Sequence, residues 1–405
     1  MDVGERMELI RRLCSFERRR AGTDAERRAA NYLAERLRAG GRRAEVEPTY
    51  VHPQYALVHA VHCLLAIGGS LAALEIPAVG FALVLLAAVS MYLDLNTRLY
   101  LLRRLFFRRA SQNVLSRGRR PDATARVILC AHYDAAQTGY AFAPRTVQRA
   151  GRLQARLPFP IGPFRIVFWS LASLLPILGA RMAGVDAEWL SIVQIVPTLI
   201  LIVAVFGLVD IALSDVSPGA NDNASGVATV LSLADELGRE APEHLDVWTL
   251  FPGAGWSLQE GMRSFMRAHR KELARDSTYF VCVDTVGLGE VRYEISAGWV
   301  VSFPMDRRLI ELCEAIAEAD RDGEDRFGAR AFRLGVADDG IAARVRRYAT
   351  TTITCANELN VVPSVHATAD VPDRIDPAAL ERAHGFTLAL VRQLDRDVGR
   401  RGPLV

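Results

Sequence analysis

Four apolar runs decide what this chain can fold into. Ala56–Leu74 and Ala78–Leu95 are parted only by Glu75, Ile76 and Pro77, and Phe164–Ala183 is joined to Trp189–Leu213 by a short turn around Gly184. Each is nearly free of charge and close to the ~20 residues a helix needs to cross ~30 Å of hydrocarbon. Buried core helices would also be apolar, but four spanning-length runs in two tight pairs favour two transmembrane helical hairpins. Tyr92, Trp169 and Trp189 are suited to anchor them at the interface.

Arginine placement predicts their orientation. "ERRR" and "GGRR" precede the first hairpin and "RLYLLRRLFFRRASQNVLSRGRR" links the two, whereas the tight turns carry almost no basic residues. The positive-inside rule then gives an integral membrane protein of four spans, with its N-terminus and soluble domain on the cytoplasmic face. The opening stretch is charged where a signal peptide needs an apolar core. Each hairpin returns the chain to the side it left. One soluble domain can therefore be assembled from 1–55, 121–163 and 214–405, with hairpins at 56–95 and 164–213 and a basic link at 96–120. A net charge of +3 gives no reason to expect nucleic acid. The arginines beside the apolar segments point to the lipid bilayer as partner. The six cysteines are isolated from one another, which implies reduced, buried thiols rather than a disulfide framework or a zinc finger. His59 and His62 share one face of the first span, and the simpler reading is that they face other helices.

The remaining segments have α/β texture. "TDAERRAANYLAERLRAGG" has a Thr/Asp start, helical apolar spacing and a Gly-Gly stop. "ARVILCAHYDA", "LDVWTLFPG" and "STYFVCVDTVG" are short apolar runs ending in polar residues, as expected of buried strands that deliver side chains at their C-terminal ends. Alternation of such strands with amphipathic helices predicts a mixed, largely parallel sheet sandwiched by helices.

"HYDA" (132–135), "PGANDNASGVA" (218–228), "VDTVG" (283–287) and "SVHATADVPDRID" (364–376) follow one another in an order that resembles the two-zinc aminopeptidase family, which includes glutamate carboxypeptidase and glutaminyl cyclase. The resemblance covers the soluble part, with the hairpins as insertions. It implies two zinc ions about 3.5–4 Å apart, clamping a water and polarising the scissile carbonyl. It makes His132 and Asp284 terminal ligands of one zinc and His366 a terminal ligand of the other. Asp134 would orient His132 from behind.

The departures matter as much. Where the family has two successive aspartates, this chain reads Asn221-Asp222-Asn223, which is expected to put a neutral amide, Asn221, at the bridging position and Asp222 behind the ligands. The family's Glu-Glu pair becomes Gly255 at the general-base position and Trp256 at the second metal's carboxylate position, so no catalytic residue is intact. With Asp284 as the one remaining ligand carboxylate, zinc is expected to be absent or held as at most one weakly bound ion. Losing the base alone removes about 10²–10⁴ in rate. Two rescues are conceivable: Glu260 reaching in, and Asp222 entering the bridge after a one-residue slip.

Two function classes follow. One is a membrane-anchored pseudopeptidase that binds a peptide or protein partner without cleaving it. The alternative is an active metallo-aminopeptidase with an altered one- or two-zinc site. A transporter would need more polar residues within the spans.

Overall fold

The computed structural model describes residues 1–401 except 158, 186, 324 and 325. Its elements in chain order are α1 (Val3–Cys14), α2 (Asp24–Ala39), β1 (Glu45–Val51), α3 (Tyr55–Ala72), α4 (Pro77–Leu95), β2 (Arg109–Ser116), β3 (Ala125–Cys130), α5 (Pro144–Gln154), α6 (Pro163–Met182) and α7 (Glu188–Leu213). There follow α8 (Gly226–Arg239), β4 (Leu245–Phe251), α9 (Glu260–Ala268), β5 (Thr278–Val283), β6 (Glu290–Ala297), β7 (Phe303–Pro304), α10 (Arg307–Arg321), β8 (Arg330–Arg333), α11 (Gly340–Arg344), β9 (Ala349–Ala356) and α12 (Pro377–Arg401).

The strands form one nine-stranded sheet in the order β1-β2-β4-β3-β5-β9-β6-β7, with β8 on β6. Its centre, β4-β3-β5-β9, is parallel, and β2 and β6 pair antiparallel at its two sides. The pleat sends Val127 and Leu129 of β3 into one apolar core with α1, α2, α8 and α12, and Ile128 and Cys130 into another beneath α9 and α11. This two-sided burial is why the central strands read as continuous apolar runs. Helix α2 starts at Thr23, whose hydroxyl accepts from Glu26 N at 3.2 Å, and stops at Gly40.

Helices α3, α4, α6 and α7 fall within a residue or two of the four apolar runs and are long and apolar enough to cross a membrane. α3 packs on α4 and α7, and α6 packs on the same two, closing a four-helix bundle. Gly69 and Gly80 let α3 and α4 touch, since a Cβ on Gly80 would lie 2.4 Å from the Gly69 carbonyl oxygen. His59 and His62 are both buried in the bundle; they stack on each other, and His62 Nε2 lies 2.8 Å from Ser90 Oγ. The bundle core continues into the soluble domain through Leu258, Ala337 and Ile341.

Candidate metal centre

Parallel strands deliver their C-terminal ends to one edge of a sheet, and the polar residues gather there. Cys130 of β3 and Cys282 of β5 are in register, so the residues two positions on, His132 and Asp284, emerge side by side with Nε2 and Oδ1 3.8 Å apart. His132 and Asp284 are held by the loops that follow the buried strands β3 and β5.

Asp222 lies in the turn that opens α8. The carboxylate of Asp370 grips this turn, accepting from Asn221 N at 2.7 Å and Asp222 N at 3.0 Å. Asp222 Oδ1 then lies 3.6 Å from His132 Nε2 and its Oδ2 3.6 Å from His366 Nε2. The residue between the two imidazoles is therefore Asp222 and not Asn221. Asn221 turns the other way: its amide donates to the Pro363 carbonyl at 2.9 Å, and its Oδ1 accepts from Gly287 N at 2.7 Å. The expectation for Asn221 failed because the motif aligns one residue further along, which is the slip that brings Asp222 forward from a supporting place. The peptide between Asp222 and Asn223 is cis. Asn223 ties the turn to β5, donating to Val283 O at 2.9 Å and accepting from Thr285 N at 2.9 Å.

The loop after β4 faces this group. Two buried carboxylates fix it: Glu26 accepts from Ala254 N at 3.0 Å, and Asp134 accepts from Gly255 N at 2.7 Å and Trp256 N at 3.1 Å. Asp134 also stands 3.5 Å from His132 Nδ1, behind the imidazole. Trp256 is directed between the two histidines, edge-on to both rings, with centroids 5.7 Å from His132 and 3.9 Å from His366. Its indole N–H donates to Asp222 Oδ1 at 3.0 Å. Gly255 packs against His132 so closely that a Cβ there would lie 2.6 Å from Cγ of the ring. Glu260 does not reach in. It is buried at the start of α9, 3.3 Å from Arg103 Nη1 and 3.2 Å from His52 Nδ1, and these contacts hold its carboxyl low against the upward push of burial.

Electrostatics follow from how many acids are buried together. Burial and the neighbouring charge of Asp284 raise the Asp222 carboxyl well above its ordinary value, while His132 pulls it back. Asp284 is pushed up to about 6 by burial. Burial would lower His132, but Asp134 and the charges of Asp284 and Asp339 raise it well above the usual imidazole range. His366 is pushed down to about 3 by burial and the His132 charge. Sequence reading missed Glu26 and Asp339. Asp339 is 4% exposed, neither carboxylate oxygen has a hydrogen-bond partner, and burial pushes its carboxyl up to about 8. The available signal was a pair of acids, "ADDGIAA", inside an otherwise small and apolar stretch.

These donors fit one zinc ion. One ligand atom each from His132, Asp222 and Asp284 lies within 4.8 Å of the others, and Asp284 Oδ1, 3.8 Å from His132 Nε2, is buried without a hydrogen-bond partner. An imidazole and two carboxylates balance a dication, which corrects the count of a single carboxylate. A second ion is not accommodated. His366 and Asp222 Oδ2 are present, but the third place is filled by an indole whose nitrogen carries a proton and offers no lone pair.

Residues 203–391 match the family model described as Peptidase family M28. No curated protein matches the chain in sequence. In fold the chain is similar to a zinc-dependent exopeptidase from Parabacteroides distasonis, with a TM-score of 0.54 and 14% identity over 96% of this chain and 98% of that one. It is similar to a glutaminyl cyclase from Bacteroides thetaiotaomicron, solved with N-acetylhistamine bound, with a TM-score of 0.55 and 14% identity over 96% and 97% of the two chains. A leucine aminopeptidase precursor from the same species gives 0.53 and 15% identity over 96% and 97%. The match to peptidase family M28 at residues 203–391, and a fold shared with a zinc-dependent exopeptidase, an aminopeptidase precursor and a glutaminyl cyclase, support the resemblance to the two-zinc aminopeptidase family.

Proposed function

We propose that this is a membrane-anchored pseudopeptidase: a peptidase-fold domain that holds one zinc ion and binds a peptide or protein partner without cleaving it. The observation that carries this reading is the Trp256 indole, which lies against His366 and donates to Asp222 where a second metal's carboxylate would stand. Gly255 supplies no general base beside it, and Glu260 is engaged elsewhere. Zinc bound by His132, Asp222 and Asp284 supplies Lewis acidity toward a ligand oxygen. The chain's own residues position that ion and leave nothing on the Trp256 side to take a proton from water. The four apolar helices anchor the domain, and the arginines of the link favour the cytoplasmic face.

A second reading, an active aminopeptidase with an altered one-zinc site, draws on Asp339, a buried acid without a hydrogen-bond partner whose charge reaches His132. Metal analysis and turnover of aminoacyl substrates by the detergent-purified full chain separate the two. One zinc per chain without turnover supports the pseudopeptidase. Turnover that disappears in Asp339→Asn establishes the second reading instead.

A further inference from the structure

Beyond the last turn of α4 lies a group of guanidiniums that the metal centre does not use. Arg98 is three residues past the helix, Arg263 and Arg267 stand one turn apart on α9, and Arg346 follows α11. Arg346 donates to Thr97 Oγ1 at 3.3 Å and Thr97 O at 3.1 Å, and Arg263 donates to the Arg98 carbonyl at 3.0 Å. Three separate chain segments thus converge on the end of one apolar helix. Burial, followed by the charges of Arg263, Arg98 and Arg267, pushes Arg346 down to about 10. None of the four arginines is ion-paired among the described residues. The acids that share the Tyr100 neighbourhood, Asp94 and Glu260, are already engaged by Arg103 at 3.0 and 3.3 Å. Arg263 is 6% exposed, lies 3.7 Å over the Tyr100 ring, and has no hydrogen-bond partner at Nε or Nη1.

Crowded cations with donors left open are costly unless an anion completes them. We propose that Arg98, Arg263, Arg267 and Arg346 form a headgroup site for an anionic phospholipid. This rests on the reading of α3 and α4 as membrane spans. The phosphate accepts from the guanidiniums, and the acyl chains run along α4. The choice of a lipid over a free phosphate follows from the position of the site at a helix end. It also follows from the exposed apolar side chains of the same link, Leu99, Leu105 and Phe107.

The test uses the full chain reconstituted in phosphatidylcholine vesicles carrying a trace of spin-labelled phosphatidylglycerol or spin-labelled phosphatidylcholine. The wild type is expected to immobilise the phosphatidylglycerol label several-fold in excess over the phosphatidylcholine label. Arg98→Gln/Arg267→Gln, two exposed changes away from the metal centre, should remove the excess, and the control Arg104→Gln/Arg108→Gln should keep it. Equal immobilisation of both labels by the wild type, or equal loss in both double variants, overturns the proposal, the latter because it shows diffuse attraction. If inorganic phosphate stabilises the detergent-solubilised wild type but not Arg98→Gln/Arg267→Gln, and no lipid preference is seen, the site takes free phosphate and the lipid assignment falls. Failure to enter neutral vesicles at all refutes the membrane reading itself and is distinguishable from each of these outcomes.

Discussion

The indole N–H of Trp256 donates to Asp222 Oδ1 across 3.0 Å, so the carboxylate between the two imidazoles is shared with a tryptophan that lies against His366. A neutral donor there satisfies one oxygen of Asp222 but adds no negative charge for a second dication. The wild type should therefore hold one zinc per chain. Trp256→Glu, which puts a shorter, anionic side chain in the same place, should hold two. Elemental analysis after dialysis against buffered zinc measures both, and an unchanged ratio in the variant would remove Trp256 from its assigned position.

Asp222 and Asn221 separate the bridging residue from its neighbour. Asp222→Asn removes one of two ligand charges and should weaken zinc binding by more than the about 10–100-fold typical of changing a group behind a ligand. Asn221→Asp should bring no gain in affinity. It exchanges an amide donor to the Pro363 carbonyl for a repelling oxygen and should destabilise the fold by about 1–3 kcal/mol. Competition with a fluorescent zinc chelator reads the first effect and thermal unfolding the second. A tighter zinc site in Asn221→Asp would restore Asn221 to the bridge.

Gly255 is fixed by His132 as much as by its own backbone. A Cβ 2.6 Å from Cγ and 2.7 Å from Cβ of that histidine cannot be accommodated without moving a zinc ligand. Gly255→Ala should cost about 1–3 kcal/mol, as overpacking does, and weaken zinc binding at the same time. Gly255→Glu should do worse on both counts and gain no turnover. One substitution at Gly255 thus supplies no base, because the backbone there lies too close to His132 to admit a side chain.

Much of this was legible in the sequence, and the reasons differ by element. The apolar helices were placed to within a residue or two because a long uncharged run has few other solutions. His132 and Asp284 were singled out by the likeness of their motifs to the two-zinc aminopeptidase family, and the parallel register of β3 and β5 brings them side by side. Asn221 was misplaced because three consecutive polar residues carry no periodic signal, and only the Asp370 carboxylate, 149 residues away, settles which of them turns inward. Glu260 kept its place as a possible base for a similar reason: its partners His52 and Arg103 come from distant segments that no local pattern connects to it.

Glu26 should give stability a pH dependence of its own. Burial and the Asp134 charge push its carboxyl up to about 8, although Gly22 N, Ser111 Oγ and Ala254 N all donate to it. A folded pKa above the ordinary carboxyl value of 4.5 means that the folded state holds the proton longer than the unfolded chain. Its contribution is then fully present below pH 4.5 and is lost as the pH rises through about 8. Unfolding midpoints across that window should fall with pH in the wild type and fall less steeply in Glu26→Gln, from a lower start because the amide cannot accept all three donors. Equal slopes in the two proteins would show that Glu26 is not the group responsible.

Arg103 is the tie between the helical bundle and the loop that carries Trp256. It is fully buried, with Nε 3.0 Å from Asp94 of α4 and Nη1 3.3 Å from Glu260 and 3.2 Å from the Ser257 carbonyl, one residue past the indole. Removing one member of a buried ion cluster leaves the others without compensation, which typically costs about 3–5 kcal/mol. Arg103→Met should lower the unfolding midpoint accordingly and shift the tryptophan emission, since the loop loses its anchor beside Trp256. Arg103→Met combined with Asp94→Leu and Glu260→Met should recover much of the stability, because well-packed apolar side chains replace such clusters at little cost. A single variant within about 1 kcal/mol of wild type, well below the cost of breaking a buried pair, would mean that the bundle and the loop are held together by the apolar contacts of Leu258 and Ile341 instead.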